Sequence, residues 1–174
     1  MPRFLAALLA ALVIFPLAAE ARGVTGIPGV HTVLDVGRPL GPGDYVWDTD
    51  GVAPGATRIV VDVTRRQLYA YRNGVEIGRS FVVVGPPETP TPIGTFPIIE
   101  KDADHYSRAY DAPMPYSLRL TRSYVAIHGS PVEDDWVTHG CIGVPPEFAR
   151  ILYANVRVGD TVLVTRNWLP RAYD

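Results

Sequence analysis

Cysteine is almost absent: the chain holds one, Cys141, among 174 residues. A lone thiol cannot close a disulfide within the chain, so nothing covalent staples the fold. An excess of charge of one sign is also missing. The 16 Lys and Arg nearly balance the 18 Asp and Glu. Without a basic excess, binding through phosphate neutralisation is excluded, and no nucleic-acid partner is expected. Past the N-terminus there is no second apolar run of membrane-spanning length. No internal repeat occurs.

What is present is enough for one domain with a core, since 47% of the residues are apolar and global disorder is thereby excluded. The first residues read as an export leader. Arg3 supplies a positive start, Phe4 to Ala19 is apolar apart from Pro16, and Ala19-Glu20-Ala21 fits a small-x-small cleavage site. A retained membrane anchor is the alternative, but the run is short for a spanning helix. The expected organisation is a signal peptide over 1–21, an extended arm over 22–56, a catalytic domain over 57–166 and a tail over 167–174. Export places the protein in the periplasm or cell wall, peripheral to the membrane at most. In an oxidising compartment a lone thiol is a liability unless it has work to do.

The arm is rich in Gly, Pro and Asp, with short strands expected around 31–36 and 45–47. Strand patterns follow at 58–63, 67–71 and 75–84. Asn73-Gly74 between the last two signals a tight hairpin, so the three form an antiparallel meander. Prolines make 86–97 a loop, with a strand resuming over 96–99 and a polar excursion over 100–111. Segments 116–120, 124–128 and 161–165 are further strands. One helix is expected over 145–155, started by Pro145-Pro146, with Phe148, Ile151 and Leu152 at helical spacing.

The chemistry gathers in two short segments. His128 ends the apolar run Val125-Ala126-Ile127, and Thr138-His139-Gly140-Cys141-Ile142 follows. A thiol attacks only as thiolate, and a nearby imidazole can take its proton. Gly140 removes a side chain beside the sulfur, and amides around Gly140 and Cys141 can face a developing oxyanion. His128, His139 and Cys141 are also conceivable metal ligands. Zinc sites in exported enzymes usually add carboxylates or further His, however, and His139-x-Cys141 is an uncommon spacing. No metal and no cofactor are expected. His31 and His105 lie in polar segments and are expected to face solvent.

His128-Gly129 followed by Thr138-His139-Gly140-Cys141-Ile142 resembles the signature of L,D-transpeptidases with the YkuD-type catalytic domain. Thr91-Pro92-Ile93-Gly94-Thr95-Phe96, Met114-Pro115-Tyr116, Gln67-Leu68-Tyr69 and Gly159-Asp160-Thr161-Val162 extend the likeness over about 57–165. The resemblance implies a mostly β, sandwich-like or barrel-like domain with one main helix. It implies that Cys141 attacks the carbonyl after diaminopimelate in a peptidoglycan tetrapeptide stem and expels D-alanine. An amine, either diaminopimelate or a lysine of an anchored protein, then takes the acyl group. In this scheme His128 is the base, the carbonyl of Gly129 orients it, and His139 shapes the pocket. Gly140 contributes to the oxyanion hole. Substrate contacts are expected from Met114, Tyr116, Arg119, Trp136 and Thr138, with Arg122 a further candidate.

Two departures stand out. Gly143 occupies a position where the family usually has Arg or Asn, so a bidentate grip on a carboxylate is lost there. The spacer between His128 and Thr138 is short, and it carries Glu133, Asp134 and Asp135, read as solvated charges. Water in place of the amine would make the protein an L,D-carboxypeptidase or a murein amidase or endopeptidase. A reading of another class is an inactive wall-binding module, against which the intact His128, His139 and Cys141 speak.

Overall fold

A computed structural model describes residues 22–23, 29–133 and 135–168. The expected signal peptide lies outside the described residues, as do Asp134 and the last six positions. Two sheets and one helix form the body. The first sheet joins β1 (Arg22–Gly23), β2 (Thr32–Val33), β3 (Tyr45–Trp47), β4 (Thr57–Asp62), β5 (Gln67–Arg72), β6 (Val75–Phe81), β7 (Gly94–Pro97) and, last in the chain, β14 (Thr161–Thr165). Its order is β1-β2-β6-β5-β4-β14-β7, with β3 also on β6. The second sheet has β8 (Glu100–Asp102), β11 (Ser117–Arg119), β12 (Ala126–Gly129) and β13 (Ile142–Val144), in the order β13-β12-β11-β8. A separate hairpin pairs β9 (Tyr106–Ser107) with β10 (Ala112–Pro113). Helix α1 (Pro146–Asn155) packs on β12 and β11.

The period-two alternation of strands explains why β4, β5 and β14 read as nearly unbroken apolar runs. Ile59, Val61, Leu68, Ala70, Val162 and Val164 face the main core, shared with Leu118, Ile127, Ile142 and Val144 of the second sheet and Phe148 and Leu152 of the helix. The alternate residues Val60, Tyr69 and Tyr71 face outward into a second cluster closed by Val30, Val33 and Trp168. The arm and the chain's last described residue thus cover a face that would otherwise be wet. Phe148 is fully buried, with the rings of Tyr45 and Trp47 at 5.7 and 5.8 Å. Truncating such a ring costs about 3–5 kcal/mol.

Asn73 and Gly74 turn the β5–β6 hairpin with φ of 50° and 79°, the pair of positive values that a type I′ turn needs. The helix starts on the Pro145-Pro146 pair, with the Ala149 amide donating to the Pro145 carbonyl at 2.9 Å. Its far end is held from outside, because Lys101 Nζ donates to the carbonyls of Tyr153 and Val156, each at 2.6 Å. That satisfies acceptors with no partner inside the helix.

The structure corrects two expectations. The strand placed over 96–99 is Gly94–Pro97. Ile98 and Ile99 carry the chain between sheets, bonding to the carbonyls of Asp160 and Arg119 respectively. The polar excursion over 100–111 contains β8 and one strand of a hairpin, because an edge strand can turn charged side chains to solvent. The expected meander is antiparallel as read, β4 on β5 and β5 on β6, while β12–β13, β4–β14 and β2–β6 are parallel pairs.

Candidate active site

The parallel pairing of β12 and β13 sets His128 beside the strand that Cys141 leads into. Ile127 lies opposite Ile142, and His128 opposite Gly143. Ile127 and Ile142 point into the core. Alternation therefore turns His128 to the other face, with Cys141 two register steps away on the neighbouring strand's approach. Both side chains are mostly buried, at 5% and 8% exposure.

His128 Nδ1 lies 2.9 Å from the carbonyl oxygen of Gly129. A carbonyl only accepts, so this bond places the proton on Nδ1 and leaves a lone pair on Nε2 of the neutral ring. Nε2 is buried and has no partner among the described residues. Burial pushes the imidazole below its ordinary pKa, the Gly129 bond opposes this, and repulsion from His105 adds to the lowering. Burial pushes the Cys141 thiol up, against a backbone hydrogen bond from Ala126. The thiol donates to the carbonyl of Tyr124 at 3.5 Å. The resting pair is therefore neutral imidazole and neutral thiol, because charging either buried group costs solvation.

The Cys141 backbone is pinned from two directions. Thr138 Oγ1 donates to the Cys141 carbonyl at 2.6 Å, and Thr91 Oγ1 approaches the same oxygen at 3.4 Å. Thr91 in turn accepts from the Gly85 amide at 3.0 Å. Gly140 has φ of 106°, a value that side-chain-bearing residues rarely adopt. A Cβ on Gly85 would lie 2.0 Å from the Thr89 carbonyl and 2.8 Å from the Gly140 amide, so the loop approaches the turn as closely as backbone permits. Gly129 is also confined, between Pro115 and Pro146.

Gly143 has a local explanation. Reciprocal backbone bonds of 2.9 Å join it to Val83, tying the segment after β6 to β13. A Cβ there would lie 2.5 Å from Val83 Cγ2 and 2.8 Å from Ser130 Cβ. In this chain the position is packed shut.

His139 is exposed, and its ring stacks on Tyr110 at 4.6 Å between centroids. Tyr110 stands in the turn of the β9–β10 hairpin. Met114 and Arg119 line a cleft that also contains Tyr124 and Ala126, the residues whose backbone meets the sulfur. Arg119 is paired with Glu100 at 2.5 Å and lies over the Tyr124 ring. Tyr116 is placed elsewhere, with its ring against Tyr153 of the helix. Trp136 is 45% exposed, Arg122 is exposed, and Glu133 and Asp135 face solvent. His105 departs from its expected exposure: it is half-buried, lines the same cleft and bonds Asp102 through Nδ1 at 3.1 Å. Thr91, Tyr110, Tyr124 and Asp102 were not among the candidate residues. Only Thr91 had a signal, its place in the Thr-Pro-x-Gly-x-Phe segment. Among the described residues no three His, Cys, Asp or Glu side chains come together as a metal site.

Comparison with known proteins gives the family. The family model described as the L,D-transpeptidase catalytic domain, YkuD, matches residues 56–164. L,D-transpeptidase 1 of Mycobacterium tuberculosis is 28% identical over 134 residues, covering 67% of this chain and 53% of the relative. The crystal structure of an L,D-transpeptidase from Stackebrandtia nassauensis superposes with a TM-score of 0.60 at 26% identity, covering 66% of this chain and 58% of that one. The L,D-transpeptidase LdtMt1 in complex with imipenem gives 0.60 at 27% identity, with coverage of 63% and 59%. The chain thus spans a little over half the length of these relatives. A mostly β body with one helix, His128–Gly129 on the strand beside the one that Thr138-His139-Gly140-Cys141 leads into, and a family match over most of the chain agree: the protein belongs to the YkuD family of L,D-transpeptidase catalytic domains.

Proposed function

We propose that the protein is an exported L,D-transpeptidase that acts on peptidoglycan peptide stems through a Cys141 thioester. The observation that carries this is the fixed tautomer of His128, which leaves a buried, unpartnered Nε2 lone pair on the face shared with the thiol. The Cys141 proton passes to Nε2 as sulfur attacks the carbonyl carbon after diaminopimelate. The oxyanion is held by the amides of Gly140 and Cys141. The imidazolium returns its proton to the departing D-alanine amine, leaving the thioester. An acceptor amine then attacks the thioester, His128 takes a proton, and the C–S electron pair returns to sulfur. The amine belongs to a second stem's diaminopimelate or to an anchored protein's lysine. Met114, Arg119, Trp136, Tyr116 and Thr138 are the proposed substrate contacts, with His139 shaping the pocket. No cofactor takes part in this scheme, and the periplasm or cell wall is the proposed place of action.

Mass spectrometry of muropeptides incubated with wild-type and Cys141→Ala protein tests this. Cross-linked dimers and free D-alanine from the wild type alone are expected. Only trimmed stems would overturn transfer in favour of hydrolysis, and no product would leave a wall-binding module. A solved relative is complexed with imipenem, so a covalent adduct of that compound on Cys141 is a second readout.

A further inference from the structure

Transfer to an amine has a proton problem that one histidine does not solve. An unperturbed alkyl amine has a pKa of about 10 and arrives at neutral pH as an ammonium. It must lose one proton before it can attack and a second as the amide forms. His128, neutral after D-alanine has left, takes only one of them.

The cleft beside the sulfur contains a second imidazole. His105 lines it together with Asp102, Glu100, Arg119 and Tyr124, and the Tyr124 carbonyl lies 3.5 Å from Cys141 Sγ. Asp102 Oδ2 accepts from His105 Nδ1 at 3.1 Å, which puts the lone pair of the neutral ring on Nε2. The remaining charges in the cleft suit a cation. Arg119 from β11 is spent on Glu100 of β8 at 2.5 Å, which leaves the Asp102 carboxylate in the cleft without a cationic partner from β11. Asp104, in the same turn, is exposed and adds the same sign.

We infer that His105, oriented by Asp102, is a second base that accepts the first proton of the acceptor ammonium. This rests on the transpeptidase reading above. His105 Nε2 takes one proton from R–NH3+, and the free amine attacks the thioester carbonyl. His128 Nε2 takes the second proton as the C–N bond forms, and the C–S pair leaves on sulfur. The thiolate regains a proton from His128, and His105 releases its own to water.

The test isolates the second half-reaction. Acyl-enzyme is prepared from a tetrapeptide stem and mixed at pH 7 with diaminopimelate, or with hydroxylamine, which is already neutral there. Loss of the acyl mass is timed. His105→Gln is expected to acylate normally, to slow at least tenfold with diaminopimelate, and to match wild type within twofold with hydroxylamine. Raising the pH restores the diaminopimelate rate. Asp102→Asn, which keeps the ring but frees its tautomer, shows a smaller loss of the same selectivity and carries the test if His105→Gln does not fold. Equal rates with both amines in the variants, or equal slowing with both, overturn the inference. Absence of any acyl-enzyme in wild type overturns the transpeptidase reading beneath it.

Discussion

The thiol of Cys141 donates to the carbonyl oxygen of Tyr124 at 3.5 Å, and Tyr124 itself sits at φ of 67°. A bulky residue in the left-handed region is strained. At this position it turns a backbone acceptor towards the sulfur, on a side chain that burial already keeps protonated. In the proposed mechanism Cys141 rests as a thiol and gives its proton to His128 when substrate displaces that contact.

Alkylation and acylation therefore separate. Iodoacetamide needs preformed thiolate. At pH 8 it is expected to modify the folded protein more slowly than the urea-unfolded chain, because the folded thiol's pKa is raised. Acylation by a tetrapeptide stem proceeds at the same pH. Faster alkylation of the folded form, measured by intact mass, contradicts a neutral resting pair.

The acid limb of acylation follows His128. Its folded pKa lies below the ordinary 6.5, so the base stays neutral to lower pH than a free imidazole. The limb of kcat/KM for acylation is expected below pH 6.5. The linkage has a definite sign: the unfolded state binds the proton first, so stability is lost as pH falls through 6.5. His128→Gln removes that part of the pH dependence of Tm.

Thr138→Val is expected to destabilise by about 1–3 kcal/mol, since it takes the 2.6 Å donor from the buried Cys141 carbonyl. Thr138→Ser keeps the donor and restores most of the Tm. Acylation should fall in the valine variant and recover in the serine one, measured by stopped-flow release of D-alanine.

Gly143→Ala is expected to cost about 1–3 kcal/mol through overpacking, because its Cβ would meet Val83 Cγ2 at 2.5 Å. Val83→Ala in the same chain should recover part of the loss, so the two changes are non-additive in a double-mutant cycle. Additive losses in urea unfolding would remove Val83 as the cause.

The Asn73-Gly74 turn, the helix from Pro146 and the thiol–imidazole segments were legible because each is written in adjacent residues. Strand β13 was not: Ile142-Gly143-Val144 is three residues long, and its parallel pairing with β12 is non-local. β8 was hidden by its composition, Glu100-Lys101-Asp102, which reads as loop until the edge position is known. The cleft escaped for a related reason. Its lining comes from β8, the turn after it, β11 and β12, and no spacing rule joins them. Gly143 was legible as a departure from the family pattern, while its cause lay across the sheet in Val83.

The parallel pairing of β12 with β13 separates chemistry from chain length. Parallel neighbours need a crossover to join them, and residues 130–141 are that crossover. His128 is held by the ladder and by Gly129, and Cys141 by Thr138 and Thr91. Insertions beside the exposed residues Glu133 and Asp135 to Val137 leave those anchors in place. A change of spacer length then alters the crossover alone, and the placement of His128 beside the approach to Cys141 is inherited from the sheet.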